Sequence, residues 1–130
     1  MKLVNCEPIY WSFVKDIRTN EENQIGFFSY FNVTEDEQKN FMLKNHQKYK
    51  ICISDDNIPL GYVGIINDNE ITYCVHPEHK NKGVGTFMVN TFSKDFENMS
   101  AIVKPENITS QKVFEKLNWD KKILYIKKII

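Results

Sequence analysis

The sequence predicts a single α/β (α+β) domain over residues 1–130, built on a mixed, mostly antiparallel sheet with helices on both faces. Two patterns carry this. The apolar runs 49–53, 60–66 and 70–75 are separated by the short polar turns Asp55-Asp56-Asn57 and Asn67-Asp68-Asn69, which makes a three-strand meander. After it comes a glycine loop, then Phe87, Met88, Val89, Phe92 and Phe96 at helical spacing, then the short apolar segment Ala101-Ile102-Val103. That order is a strand–loop–helix–strand crossover, which sets its two strands parallel and right-handed.

The remaining elements follow in chain order. Residues 1–5 suit a short first strand, and Pro8 opens a helix that carries Ile9, Trp11, Phe13, Val14 and Ile17 and ends near Thr19-Asn20. Thr34-Glu35-Asp36-Glu37 is a capping box: the Thr34 hydroxyl takes the amide three residues on while Glu37 reaches back, which starts a helix running to His46. A last helix over residues 107–117 presents Val113, Phe114 and Leu117 and ends at Asn118 as a left-handed residue. Residues 119–130 alternate well enough for one or two closing strands.

Composition narrows the class. A chain of 130 residues buries one core and is too short for two. Seventeen basic and 17 acidic residues leave no net charge, so a general nucleic-acid binder is not expected. Cys6, Cys52 and Cys74 are odd in number, far apart and free of CxxC or CxxH spacing, which disfavours both a disulfide framework and a zinc site. With no basic-then-apolar leader and no run approaching the ~18 apolar residues of a membrane span, the expected setting is the cytoplasm, with no membrane partner.

The chemistry concentrates in Lys80-Asn81-Lys82-Gly83-Val84-Gly85. Gly83 and Gly85 lie between a strand and a helix, where missing side chains let backbone N–H groups converge on an anion. The helix N-terminus and the charges of Lys80 and Lys82 add to that field, and a pyrophosphate is its natural guest. A GxG pair alone also fits an ordinary turn. This one has neither the third glycine of a dinucleotide fingerprint nor the GK[ST] ending of a P-loop.

Residues 75–85, Val-His-Pro-Glu-His-Lys-Asn-Lys-Gly-Val-Gly, resemble the acetyl-CoA loop of the GNAT superfamily of N-acetyltransferases, with Lys80 at the usual Arg or Gln. Residues 107–119, Asn-Ile-Thr-Ser-Gln-Lys-Val-Phe-Glu-Lys-Leu-Asn-Trp, resemble the same family's later helix. The resemblance spans residues 49–119 and implies a V-shaped opening that admits acetyl-CoA as co-substrate, with direct transfer of the acetyl group to an amine. It implies that the backbone of Tyr73, Cys74 and Val75 pairs with the pantetheine arm. It further implies that the amides of Asn81, Lys82, Gly83, Val84, Gly85 and Thr86 hold the pyrophosphate, and that Asn107 bonds the arm near the thioester.

The transfer needs a base for the amine, and an acid can serve the departing thiolate. Glu70 heads a strand, Glu-Ile-Thr-Tyr-Cys, that resembles one in the histone-acetylating branch, where the glutamate is the base; the bland reading is a solvated carboxylate beside a turn. The family's tyrosine acid falls at Phe114, which has no proton to give and is expected to pack against the arm. Either the thiolate leaves unaided or Tyr125, Tyr73 or Ser110 stands in. His76, Glu78 and His79 sit close enough to raise a metal, but the loop context argues for none; Cys74 reads as a small core hydrophobe before a nucleophile. The resemblance further implies that the loop with Arg18, Phe28 and Tyr30, with Trp11, Phe27 and Phe31 nearby, forms part of the acceptor pocket, although any one of these aromatics also suits the core.

Residues 16–20 and 34–38 weakly resemble the amino-sugar N-acetyltransferases of the pseudaminic-acid pathway and the ribosomal-protein N-acetyltransferases. The expected function is therefore acetyl transfer to a primary amine of a small molecule, such as a nucleotide-linked amino sugar, or to a protein N-terminus. The alternative is a non-catalytic CoA-binding regulatory domain.

Overall fold

The computed structural model describes residues 1–24, 26–27 and 32–128. Its centre is a four-stranded antiparallel sheet in the order β1-β2-β3-β4, formed by β1 (Lys2–Asn5), β2 (Tyr49–Ile53), β3 (Pro59–Ile66) and β4 (Glu70–Val75). The meander closes as expected: Asn57 and Asn67 take left-handed φ of 63° and 50° in the two turns, a conformation asparagine tolerates better than most residues.

Among the described residues, five helices flank the sheet: α1 (Trp11–Thr19), α2 (Glu21–Gln24), α3 (Glu35–Asn45), α4 (Val84–Ser93) and α5 (Ile108–Lys116). Strand alternation splits the core in two. Tyr49, Ile51, Ile53, Tyr62 and Cys74 meet Val14, Ile17 and Met42 on one face, while Cys52, Val63 and Ile71 meet Val84, Met88, Val89 and Val113 on the other. A bulge between Cys52 and Ile53, where Cys52 faces Gly61 but Ile53 faces Pro59, lets both Leu60 and Val63 join the second cluster.

Pro8 opens a 3-10 turn that runs into α1, and the capping box at Thr34 is complete: Glu37 N–H donates to Thr34 Oγ1 at 3.2 Å and Thr34 N–H to Glu37 Oε1 at 3.1 Å. Asn118 ends α5 at φ 61°. α2 was not expected. It is one turn long, started by the Asn20 side chain, which accepts from Glu22 N–H at 3.0 Å.

Two expected strands do not form. Residues 101–103 make no ladder; the crossover touches β4 only at a parallel bridge between Glu70 and Ser100, where Ile71 N–H donates to Ser100 O at 2.8 Å and Ser100 N–H to Asn69 O at 2.9 Å. The direction of that bridge is the one expected, and Ala101 packs against the second core cluster. Ile102 is nonetheless exposed, and a strand also needs a ladder partner, whereas the chain turns away from β4 after one bridge. Residues 119–128 likewise hold no strand, and Ile123, Leu124, Tyr125 and Ile126 are exposed. Without a ladder over 101–103 there is no neighbouring edge for them to extend.

Candidate functional site

The divergence after Ser100 leaves one edge of β4 open, and hydrogen-bond parity says which groups face it. Ile71 N–H points away from β3 to Ser100, whereas His76 N–H points back to Leu60 O at 2.8 Å. In an antiparallel ladder these directions alternate, so the N–H and C=O groups of Tyr73 and Val75 face the open edge and those of Cys74 face β3. One of the four edge groups is engaged: Val75 O accepts from Asn23 Nδ2 at 3.3 Å. The same Nδ2 donates to Ile17 O at 2.7 Å, and Asn23 is buried, so α2 ties the end of α1 to the end of β4.

Beyond Val75 the chain makes a 3-10 turn over Pro77–His79, then a loop with Asn81 at φ 62° and Gly83 at φ 81°. Gly83 is the N-cap of α4; it offers no side-chain cap, and the first helical bond runs from Phe87 N–H to Gly83 O at 3.0 Å. The N–H groups of Val84, Gly85 and Thr86 are therefore the unsatisfied donors of a helix start. A Cβ built on Gly83 would meet nothing within 4 Å, so the loop is uncovered at that position. Lys82 is exposed and Lys80 half-buried on the same loop, while the Val84 side chain turns into the core. Two lysines beside a helix start without a side-chain cap have the chemistry that a pyrophosphate needs, and so fit the cofactor that the sequence implies.

α5 supplies the facing wall. Asn107 caps it, its Oδ1 accepting from Ser110 N–H at 3.1 Å. Ser110 Oγ lies 2.6 Å from the Tyr73 hydroxyl, and the Phe114 ring meets the Tyr73 ring edge-on at 6.3 Å. A Cβ on Gly85 would fall 3.0 Å from Tyr73 Cε2, so α4 begins against the same ring. Burial pushes the Tyr73 phenol above its ordinary range, with the Ser110 hydrogen bond pulling weakly the other way.

The other expected site residues divide. Cys74 lies away from the open edge: its Sγ donates to Ile17 O at 3.6 Å, and burial pushes the thiol up to about 12, so it stays protonated and acts as packing. Glu70 stands at the opposite end of β4 from the glycine loop, its Oε1 accepting from Asn67 Nδ2 at 3.2 Å. Arg18, at the end of α1, is half-buried with its guanidinium carbon 3.8 Å from the Phe27 ring centroid; burial pushes the Tyr62 phenol up, and the Arg18 charge pulls the other way. Gly26 approaches Asn107, since a Cβ there would be 3.1 Å from Asn107 Nδ2; the segment before α3 thus meets the N-cap of α5. Phe28 and Tyr30 lie outside the described residues. Tyr125 is in the exposed tail.

His76, Glu78 and His79 do bring ligand atoms within 4.8 Å of one another. His76 Nδ1, however, accepts from Glu78 N–H at 3.1 Å, and the His76 ring stacks on Phe13 at 6.2 Å. The group is used as a turn, and no metal is assigned to it. Sequence reasoning missed Asn23 and Gly26. The one signal for Asn23 was a polar residue just after a helix end, which ordinarily means solvent.

Comparison with known proteins places these features. The family model described as acetyltransferase (GNAT) family matches residues 10–119. No curated protein sequence matches the chain. Among solved structures, spermidine N-acetyltransferase from Vibrio cholerae, in complex with CoA and spermine, is 16% identical over 99% of this chain and 86% of its own, with a TM-score of 0.87. Ribosomal-protein-alanine N-acetyltransferase from Brucella melitensis is 10% identical over 91% and 83%, with a TM-score of 0.76. A phosphinothricin acetyltransferase from Sinorhizobium meliloti, in complex with acetyl-CoA, is 15% identical over 90% and 73%, with a TM-score of 0.74. At these identities the similarity is one of fold.

Proposed function

The chain belongs to the GNAT family of acetyltransferases, enzymes dependent on acetyl-CoA, and from that premise we propose that it transfers the acetyl group directly to a primary amine of a small molecule or of a protein N-terminus. The observation that carries this reading is the continuity of one surface: the open edge of β4 at Tyr73 and Val75 runs into the uncapped start of α4 at Gly83.

Pyrophosphate oxygens take the N–H groups of Val84, Gly85 and Thr86, and Lys80 and Lys82 offset their charge. An amide-bearing arm then lies along β4 as an added strand, using Tyr73 N–H, Tyr73 O and Val75 N–H; Val75 O is already held by Asn23. Holding the arm by its backbone-like amides fixes the thioester carbonyl for attack, and such positioning accounts for a large part of the rate in acyl transfer.

Glu70 is the proposed base. It sits on β4 beside the Ser100 bridge, the end of the open edge farthest from the glycine loop, where the thiol end of the arm arrives. Its hydrogen bond from Asn67 orients the carboxylate. Acceptor recognition is assigned to Arg18, Phe28 and Tyr30, with Phe27 under the Arg18 guanidinium and Gly26 against Asn107. The acceptor classes to test are an amino sugar, a peptide N-terminus and, from the structural likeness to a spermidine N-acetyltransferase, a polyamine.

A thiol-release assay with acetyl-CoA and a panel of polyamines, amino sugars and peptides with free N-termini tests the proposal. Turnover on one class identifies the acceptor. Because Phe114 lacks a hydroxyl, a second reading is kept, a CoA-binding regulatory domain, and saturable binding with no turnover on any amine supports it.

A further inference from the structure

The Tyr73 phenol is an ionisable group on the open edge of β4 that the binding role does not use. Its backbone faces the arm, while its side chain crosses to α5 and ends 2.6 Å from Ser110 Oγ. The ring is fixed on two sides, by Phe114 at 6.3 Å and by the start of α4, where a Cβ at Gly85 would come within 3.0 Å. This half-buried hydroxyl, with Ser110 as its side-chain partner, keeps a further hydrogen-bonding position, since a phenol both donates and accepts.

We propose that Tyr73 is the proton donor to the sulfur of the departing CoA, with Ser110 as the residue that positions and reprotonates it; this deepens the acetyl-transfer reading and rests on it. As the C–N bond forms and the C–S bond breaks, the C–S electron pair leaves on sulfur and the Tyr73 hydroxyl gives sulfur its proton. The attacking nitrogen loses its own proton to the base, and from there to water. Ser110, half-buried and within reach of water, passes a proton to the phenolate and takes one from solvent, so the sum is amine plus acetyl-CoA giving amide plus CoA thiol.

Three features fit this role. Ser110 is the N3 residue of α5, so its backbone N–H is held by Asn107 and its hydroxyl is aimed by the cap. Phe114, one turn further along the same helix face, is apolar and shields the pair from one side. Burial keeps the phenol protonated at neutral pH, the state a donor needs before each turnover.

The test compares equilibrium binding of CoA and desulfo-CoA by calorimetry in the wild type, Tyr73→Phe and Ser110→Ala, together with kcat on an accepted amine. A donor aimed at sulfur makes CoA bind about tenfold more tightly than desulfo-CoA in the wild type. In Tyr73→Phe both ligands still bind, the preference falls to twofold or less, and kcat drops about 10- to 100-fold with little change in KM. Ser110→Ala keeps part of the preference and loses less of kcat. An undiminished preference and kcat in Tyr73→Phe overturns the assignment to Tyr73 and leaves the acetyl-CoA site standing. Failure of the wild type to bind either ligand overturns it together with the acetyl-transfer reading.

Discussion

Asn23 holds the carbonyl of Val75 at 3.3 Å, and the same Nδ2 holds the carbonyl of Ile17 at 2.7 Å. A one-turn helix thereby fixes the last residue of the open strand edge against the end of α1. In the proposed reaction this sets where the cofactor arm begins, because the loop from Pro77 to Gly83 starts from that anchored point.

Asn23→Ala should therefore act on both stability and cofactor affinity. Two carbonyls lose a buried donor, at a cost of about 1–3 kcal/mol in unfolding free energy. KM for acetyl-CoA should rise more than kcat falls. Urea denaturation with initial rates checks both, and an unchanged KM would remove Asn23 from the site.

The two loop glycines should fail for different reasons. Gly83 has φ 81° with open space around it, so Gly83→Ala costs about 1–2 kcal/mol of backbone strain and weakens acetyl-CoA binding by closing over the helix start. Gly85 is helical but faces Tyr73 at 3.0 Å, so Gly85→Ala should displace the ring and lower kcat with a smaller effect on affinity. Calorimetric affinities beside kcat values separate the two.

Glu70→Gln keeps the shape of the side chain and its contact with Asn67 while removing the proposed base. The expected result is a fall in kcat of about 100-fold with an unchanged KM for acetyl-CoA. An unchanged kcat would move the base elsewhere.

Stability should fall in alkali. Burial pushes the thiols of Cys6 and Cys52 up to about 11 and that of Cys74 to about 12, from an ordinary 9.0. The folded values are the raised ones, so this contribution is fully present below pH 9 and is lost as pH rises through 9 to 11, where the unfolded chain gives up protons that the folded chain keeps. At pH 10 the loss is on the order of 1 kcal/mol per thiol. Denaturant midpoints at pH 7 and pH 10 measure it, and the shift should shrink in Cys74→Ala once each midpoint is referred to its own value at pH 7.

Local signals in the sequence located most of the fold because each reports a local cause. The Thr34 capping box, the left-handed asparagines at the turns and the glycine loop all depend on neighbours within a few residues. What failed depends on distant partners. Residues 101–103 and 119–128 are apolar enough for strands, but whether a ladder forms is decided by a chain that leaves β4 after Ser100. The site divides the same way. The glycine loop leading into α4 was legible, being contiguous. That Tyr73 and Ser110 lie 2.6 Å apart, and that Asn23 reaches Val75, are facts of packing between elements far apart in the chain. Cys74, read as either core or cofactor contact, is core because strand alternation turns its side chain towards α1.

The central claim is that the open edge of β4 and the start of α4 form one acetyl-CoA site, and calorimetric titration of the protein with acetyl-CoA tests it most directly. The account predicts saturable binding at one site per chain, weakened at least tenfold by Gly83→Val, whose side chain covers the helix start. Absence of binding, or affinity unchanged in Gly83→Val, would contradict it.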